Sequence, residues 1–321
     1  MLNEFGNKAQ ILAGGQSLIS MMNMRIVNPE IIIDINFLKD IISIEEKEDT
    51  IVIGPLYKQL ELENWHSLKT KLPLIDQAIQ YVGHIQHRAR GTVIGSICHG
   101  DPTSELPLCF LALNGKIHLK SKKGDRSISA DDFYLGPLLT SKNSNEIAIK
   151  LELPVRKDNV GYAFDEVSEK YSDYAISSFA VVSDNNKIRF ALGGIPSKPT
   201  VIEWDVNDFK FIDDLLNDFA WTLDLEDDQH ASAHYKRDLV RKVGKKTILN
   251  SINNIKWFYY TTSLTKFNLL SRLISLTVFF NSSISSNGSF IRGGLTTAFF
   301  IAFKITKVSF ILLCISKKGG L

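Results

Sequence analysis

Two adjacent glycines near the start of the chain offer a place where a phosphate group can approach the backbone. The segment Ile11-Leu12-Ala13-Gly14-Gly15-Gln16-Ser17-Leu18 leads from a short apolar run through the glycine pair into a second apolar segment. Glycine accepts positive φ and has no Cβ, so successive N–H groups can surround an anion. An ordinary strand-to-helix turn explains the same pair, and both interpretations stay open here. The spacing is neither G-x-G-x-x-G nor G-x-x-x-x-G-K-S/T.

A second glycine-rich segment, RGTVIGSICHGDPTSELP, covers residues 90–107. Three glycines interrupt an apolar run, and two hydroxyl side chains lie between them: Gly91, Gly95 and Gly100, with Thr92 and Ser96. Asp101 before Pro102 fits the cap of a turn, and Glu105 is placed to accept hydrogen bonds from ribose hydroxyls. A buried turn with capping residues is the alternative. Because a diphosphate needs donors on more than one side, the two segments together favour a bound dinucleotide more than either alone.

Short apolar segments and helical patterns surround these two loops. The β-branched runs Ile31–Ile35 and Ile51–Gly54 predict buried strands, and Pro73–Val82 predicts an amphipathic helix. Further along, Ile176–Val182 and Lys187–Leu192 predict a hairpin joined by Asp184-Asn185-Asn186. Two acidic helical patterns follow, at Asp208–Phe219 and His230–Leu249.

Charge is distributed unevenly along the 321 residues. Residues 1–250 hold 29 Lys or Arg and 35 Asp or Glu, whereas residues 251–321 hold eight basic residues and no acidic one. A net charge of −6 over the first 250 residues argues against a nucleic-acid-binding face. The last 71 residues also carry nine of the 19 Phe. We expect this hydrophobic, acid-free tail not to be a native domain, with a membrane-surface element as the alternative.

Three scattered cysteines, Cys98, Cys109 and Cys314, form no metal-ligand spacing and no disulfide framework. The N-terminus lacks the pattern of a secretory signal. The longest uncharged stretch, Leu273–Ile291, is interrupted by Asn, Ser and Gly near its middle. The sequence therefore predicts a cytoplasmic protein with no metal site and no transmembrane span.

The two glycine loops resemble the FAD-binding loops of the flavin subunits of molybdenum hydroxylases, particularly the medium chain of aerobic carbon monoxide dehydrogenases. Residues 28–36 are similar to the family's segment after its first loop. Residues 164–167 and 172–176 look like the connection to its C-terminal domain, and residues 235–240 resemble its closing helix. The resemblance covers about residues 1–250.

The resemblance implies an α+β protein with a vanillyl-alcohol-oxidase-like (PCMH-type) FAD-binding domain of two subdomains over residues 1–156. A small α+β domain would follow over residues 157–250. FAD would take electrons from iron–sulfur centres in a small partner subunit and pass them to an external acceptor. A large molybdopterin subunit would oxidise the substrate, so the resemblance gives this chain no catalytic residue.

The same resemblance implies a set of cofactor-binding residues. Those around the diphosphate are Ile11, Leu12, Ala13, Gly14, Gly15, Gln16, Ser17, Leu18, Thr92, Val93, Ile94, Gly95 and Ser96. Asp101 or Glu105 would meet the adenosine half, Ile149 would line the flavin pocket, and Asp173 and Tyr174 would approach the isoalloxazine.

Three features depart from the family pattern. The family begins earlier, with a strand and a helix, so we expect Met1 to fall within the helix before the first loop. Ile94 occupies a position where the family commonly has a smaller residue, and is expected to crowd the backbone near the phosphate. Asp165 and Glu166 are acidic where some relatives have a lysine. A stand-alone flavin oxidoreductase of the same fold and a truncated relic that binds nothing remain alternatives.

Overall fold

The N-terminal part pairs two parallel strands beside the first glycine pair. The computed structural model describes residues 1–195 and 197–255. Strand β1 pairs with β2 so that Leu12 lies opposite Asp34, and both strands end at the same edge. The elements are, in chain order, α1 (Leu2–Phe5), β1 (Ala9–Leu12), α2 (Leu18–Asn23) and β2 (Ile31–Asp34).

A five-stranded antiparallel sheet forms the next part, with strand order β3-β4-β9-β5-β6, and β7 and β8 form a separate hairpin. Its central strand, β9, comes last in sequence and closes the sheet between β4 and β5. The elements are β3 (Ile44–Glu46), β4 (Thr50–Ile53), α3 (Gln59–Glu63), α4 (Leu68–Lys71), α5 (Pro73–Ile79), α6 (Ile85–Arg88), α7 (Val93–His99), α8 (Glu105–Ala112), β5 (Lys116–Ser121), β6 (Gly124–Ser129), β7 (Tyr134–Gly136), β8 (Leu139–Thr140) and β9 (Ile147–Pro154).

A four-stranded antiparallel meander begins the C-terminal part, and two helices follow it. Its elements are β10 (Gly161–Ser168), β11 (Ala175–Ser183), β12 (Lys187–Gly193), β13 (Thr200–Asp205), α9 (Ile212–Thr222) and α10 (residues 233–255). Alternate residues of β11 pack into two different hydrophobic cores, one on each face of the sheet. Ala180 packs with the α5 and α8 side, whereas Phe179 and Val181 pack with the C-terminal helices. This sheet is therefore a middle layer.

Helix α8 is enclosed by other elements of the described chain. All eight of its residues are buried, including Glu105 at its first position and Phe110, which is fully enclosed. It packs against α5 and α7 on one side and against β11 and β12 on the other. A helix that is apolar nearly all round requires burial on every face, and helices α5 and α7 together with the sheet of β11 and β12 provide it.

The α+β class expected from the sequence is confirmed. Helix α10 continues past residue 250. The first residues of the expected tail, 251–255, are therefore part of this helix and contact the C-terminal sheet. The Oγ of Ser251 donates to the carbonyl oxygen of Gly161 at 3.0 Å, and Asn254 Nδ2 donates to the carbonyl oxygen of Tyr162 at 2.8 Å. The expectations for residues 256–321 lie outside the described residues.

The helix expected from Asp208 begins later than its pattern suggests. Residues Val206–Phe211 form a 3-10 helix, and α9 starts at Ile212. Asp205 accepts a hydrogen bond from the N–H of Asn207 and so begins the tighter turn. Among the described residues, no helix combines the length and apolar character needed to cross a membrane.

Candidate functional site

The first glycine loop, residues 13–17, joins β1 to α2. Gly15 has a φ of +73°, a conformation that side chains other than glycine rarely adopt. Helix α2 begins directly after the loop because Gly15 and Ser17 accept the N–H groups of Ile19 and Met21 through their carbonyls. The chain thus reverses within five residues at the end of a strand.

The carbonyl and N–H groups of this loop differ in their hydrogen bonding. Every carbonyl from residue 12 to residue 17 accepts a hydrogen bond from the protein, and Asn36 Nδ2 supplies the shortest of these, to Ala13 at 2.7 Å. Asn36 is itself held by Asp34, which accepts from both its N–H and its Nδ2. Within the part of the chain that the structure describes, no hydrogen bond uses the N–H groups of residues 14–17. The loop therefore presents donors and hides acceptors.

The second glycine loop, residues 90–96, leads into α7. Thr92 is 2% exposed and its Oγ1 accepts from the N–H of Gly95 at 3.1 Å. Residues 57–59 hold the loop from the side, because Gln59 N donates to Gly91 and Val93 N donates to Tyr57. In the described chain the N–H of Ile94 donates to no group. This N–H adds a donor to those of the first loop.

The two loops are in direct contact. A Cβ on Gly14 would overlap the carbonyl oxygen of Arg90 and would lie 2.8 Å from Cα of Gly91 and 3.0 Å from the N of Thr92. Only glycine permits this approach. The backbones of the two loops therefore meet, although about 80 residues separate them in the sequence.

Ile94, expected to crowd the backbone near the phosphate, has a buried side chain. Its side chain is 4% exposed and packs in the main hydrophobic core with residues of α5 and α8. Its backbone N–H remains without a partner in the described residues, as above. The larger side chain at this position is thus directed into the protein interior.

Two cationic residues, Lys58 and Arg90, flank the second loop. Lys58 forms an isolated antiparallel bridge with Thr92. Partial burial lowers the pKa of Lys58; the charge of Glu61 opposes this shift, and the charge of Arg90 adds to it. Neither side chain takes part in a salt bridge among the described residues. Arg88, by contrast, is bound to Glu63 and to the carbonyls of Val82 and Gly83.

The acidic residues after the second loop have different surroundings. Asp101 caps a turn as expected, because its Oδ1 accepts from the N–H and the hydroxyl of Thr103 at 2.8 and 2.7 Å. Glu105 begins α8 and is 7% exposed, and burial raises the pKa of its carboxyl to about 7. Burial therefore favours the protonated form of the Glu105 carboxyl.

The remaining predicted site residues lie on other elements. Ile149 is half-buried on β9, against which α7 packs. Asp173 and Tyr174 are exposed in the turn between β10 and β11, next to Ser172 at φ +64°. No contact in the described structure links Asp173 or Tyr174 to the two glycine loops.

Three supporting residues were not predicted as functional: Asn36, Tyr57 and Gln59. Asn36 lies in the segment that resembles the family, and its place just after β2, beside Asp34, is a usable signal. Tyr57 and Gln59 act through their backbone groups, so their residue types carry no signal.

Comparison with known proteins gives one family. Residues 1–156 match the family model described as "FAD binding domain in molybdopterin dehydrogenase". The chain is 32% identical over 255 residues to the nicotine 6-hydroxylase medium subunit of Paenarthrobacter nicotinovorans, covering 76% of this chain and 89% of the relative. It is also 32% identical over 255 residues to the glyceraldehyde dehydrogenase medium chain of Sulfolobus acidocaldarius, covering 76% and 90%.

Among solved structures, carbon monoxide dehydrogenase from Hydrogenophaga pseudoflava is similar to this chain. The TM-score is 0.72 at 27% identity, and the alignment covers 79% of this chain and 92% of the matched chain. The similarity extends well beyond the residues of the family model and includes the C-terminal part.

Proposed function

The chain belongs to the family of FAD-binding medium subunits of molybdopterin dehydrogenases, and from this premise we propose that it carries electrons from partner iron–sulfur centres through FAD to an external acceptor. It is a subunit of an FAD-dependent oxidoreductase. FAD supplies the redox chemistry, while the protein binds and orients it. The relatives' designation as medium subunits supports an assembly with other chains.

The residues present fit a diphosphate-bridged dinucleotide. The observation that carries the proposal is the contact of Gly14 with residues 90–92, which brings together the N–H groups of residues 14–17 and of Ile94, all without a partner in the described residues. Backbone donors on two sides suit the oxygens of a diphosphate. Lys58 and Arg90 add positive charge beside them. Residues 11–18 and 92–96 would hold this part of FAD.

We assign the other predicted residues to the two ends of the cofactor. Asp101 or Glu105 would accept hydrogen bonds on the adenosine half, and Ile149 would line the flavin pocket. Asp173 and Tyr174, in the exposed turn after β10, would approach the isoalloxazine. The partners in this proposal are a large molybdopterin subunit and a small iron–sulfur subunit. The sparse cysteines fit a complex in the cytoplasm.

FAD binding to the full chain tests the cradle formed by the two loops. After reconstitution, the wild-type chain should show a flavin absorption spectrum and saturable FAD binding. Gly14→Ala should weaken FAD binding by about tenfold or more, because displacing backbone to fit a Cβ costs about 1–3 kcal/mol. A titration followed by flavin fluorescence measures the FAD affinity of the wild type and of the variant.

Gly136→Ala is the matched control. A Cβ at Gly136 meets its nearest neighbours at 3.8 Å, an ordinary contact distance. It should bind FAD as the wild type does. Equal affinity of all three proteins, or a colourless wild-type chain, would contradict the proposal.

Electron transfer is tested separately from binding. The FAD-loaded chain alone should oxidise no organic substrate, and its flavin should be reduced when the partner subunits and their substrate are added. Turnover of an organic substrate by the isolated chain would favour a stand-alone flavin oxidoreductase.

A further inference from the structure

A group of buried polar atoms lies between α8 and the C-terminal sheet, apart from the glycine loops. Glu166 on β10 and Ser178 on β11 are opposite each other in the antiparallel register and so share a face. Both carboxyl oxygens of Glu166 and the Oγ of Ser178 are buried, without a hydrogen-bond partner in the described residues. Ser178 is completely inaccessible to solvent. Such orphaned groups call for a specific explanation.

Gly193 on β12 provides the space around this hydroxyl. It pairs with Ser178, and a Cβ at Gly193 would lie 2.6 Å from Ser178 Oγ and 3.0 Å from the carbonyl oxygen of Pro102. The missing side chain lets the turn before α8 approach the sheet. Helix α8 packs on β11 and β12 here and brings Glu105 to the same side.

The second carboxyl is that of Glu105, which is 7% exposed. Burial raises the pKa of Glu105 to about 7, and burial together with the charge of Glu105 raises that of Glu166 to about 8. Cys109 lies one turn further along α8. Burial raises the pKa of its thiol, and the charges of Glu105 and Glu166 raise it further. The two carboxyls therefore interact within one low-dielectric region.

The elements packed around this region supply little positive charge. Tyr81, after α5, faces Glu166, and Asp101 adds a negative charge beside Glu105. Arg88 is the cation that acts on Glu105, but its Nε and Nη2 donate to Glu63 at 2.7 and 3.0 Å. With its guanidinium occupied by Glu63, Arg88 cannot neutralise two further buried carboxylates.

We propose that Glu105, Glu166 and Ser178 form an internal proton-binding site, in which the two carboxyls retain a proton between them at neutral pH. The bound proton removes the repulsion that two buried carboxylates would exert between α8 and β10. A neutral, protonated carboxyl also tolerates a buried site without hydrogen-bond partners far better than a carboxylate does. This inference goes beyond the proposed function and concerns the chain without bound FAD.

The site predicts a definite direction of pH dependence. A carboxyl with a raised pKa in the folded chain binds more protons than in the unfolded chain, where its value is about 4.5. Its contribution to stability is complete below pH 4.5 and is lost as the pH rises through about 7 and 8. Unfolding near pH 7 should therefore release about one proton from the pair.

The test uses the full chain with Glu166→Gln, Glu105→Gln and, as a matched control, Glu45→Gln on the exposed strand β3. Chemical unfolding is followed from pH 5 to pH 9. The wild type and E45Q should lose stability together as the pH rises, whereas E166Q and E105Q should show a weaker slope and exceed the wild type at pH 9. Infrared difference spectroscopy of the wild type at pH 7 should show a protonated carboxyl band that E166Q lacks.

Two results would overturn the proposal. One is the same pH slope in the wild type and both buried variants, with no protonated carboxyl band at pH 7. The other is destabilisation of the wild type, but not of E166Q, by a chelator, which would show that a metal ion rather than a proton occupies the site. The infrared measurement on the wild type decides the question even if a variant folds poorly.

Discussion

The side-chain amide of Asn36 binds carbonyl groups of the first glycine loop. Its Nδ2 donates to the carbonyls of Ala13 and, at 3.4 Å, Leu12, while Asp34 fixes its orientation. These bonds turn the carbonyls toward the protein and leave the following N–H groups available for an anion. The side chain of Asn36 thus determines that the loop offers N–H donors rather than carbonyl acceptors to a ligand.

Replacement of Asn36 tests this role. Asn36→Ala should lower FAD affinity about fivefold to tenfold, because a hydrogen bond of this kind contributes about 1 kcal/mol. Asn28→Ala, at an exposed asparagine before β2, is the control and should bind FAD normally. Fluorescence titration gives the affinities. Unchanged binding by N36A would mean that the loop keeps its orientation without this anchor.

Residue types alone predicted the glycines and Thr92 because the chemistry of these residues is local. Gly15 needs positive φ, and Thr92 caps the turn that follows it. Asn36 and Lys58 act on segments distant in sequence, so their roles depend on tertiary contacts that no local pattern contains. Glu166 was recognisable only as a departure from the family's basic residue.

Arg189 on β12 joins the C-terminal sheet to the end of α8. Its guanidinium donates to the carbonyls of Leu111 and Ala112, which end that helix, and pairs with Asp131 and Glu203. The side chain is 13% exposed. Because the last carbonyls of a helix lack partners within it, a buried cation satisfies them.

Arg189→Met should lower the free energy of unfolding by about 2–4 kcal/mol, because it leaves the buried helix carbonyls and Asp131 without their donor. Lys187→Met is the matched control. Lys187 pairs with the same Glu203 at 2.9 Å but is 67% exposed, so its loss should cost less than about 1 kcal/mol. Urea unfolding monitored by circular dichroism measures both changes. An equal loss of stability in R189M and K187M would contradict a stabilising role for the contact between Arg189 and α8.

Helices and strands were predictable from sequence to different degrees. The hairpin β11–β12 follows from alternating apolar residues around a polar turn, and it forms as predicted. The order of the five-stranded sheet was not predictable, because β9 inserts between β4 and β5 through distant pairings. Helix α8 lacks a polar face, so periodicity could not reveal it.

The folded chain as a whole should be most stable at weakly acidic pH. Hydrogen bonds from arginine and lysine lower the carboxyl pKa values of Glu146 and Glu203 below 4.5. Their contribution is present above pH 4.5 and is lost as the pH falls. Glu105 and Glu166 act oppositely and lose their contribution toward pH 8. The maximum should lie at about pH 5.

Thermal unfolding of the full chain across pH 3 to pH 9 checks this expectation. E166Q should flatten the alkaline side of the profile and leave the acid side unchanged, because Glu146 and Glu203 are intact. A maximum at pH 8 in the wild type would contradict the assignment of the two sets of carboxyls.

The contact at Gly14 has a consequence for how the molecule holds together. A dinucleotide bound across both loops connects points about 80 residues apart in the chain, as a removable crosslink would. Ligand that binds only the assembled crevice stabilises it by mass action. Loss of the nucleotide would free both loops at once. Cleavage by a protease in residues 13–17 and in residues 90–96 should therefore increase together when FAD is removed and decrease together when it is added.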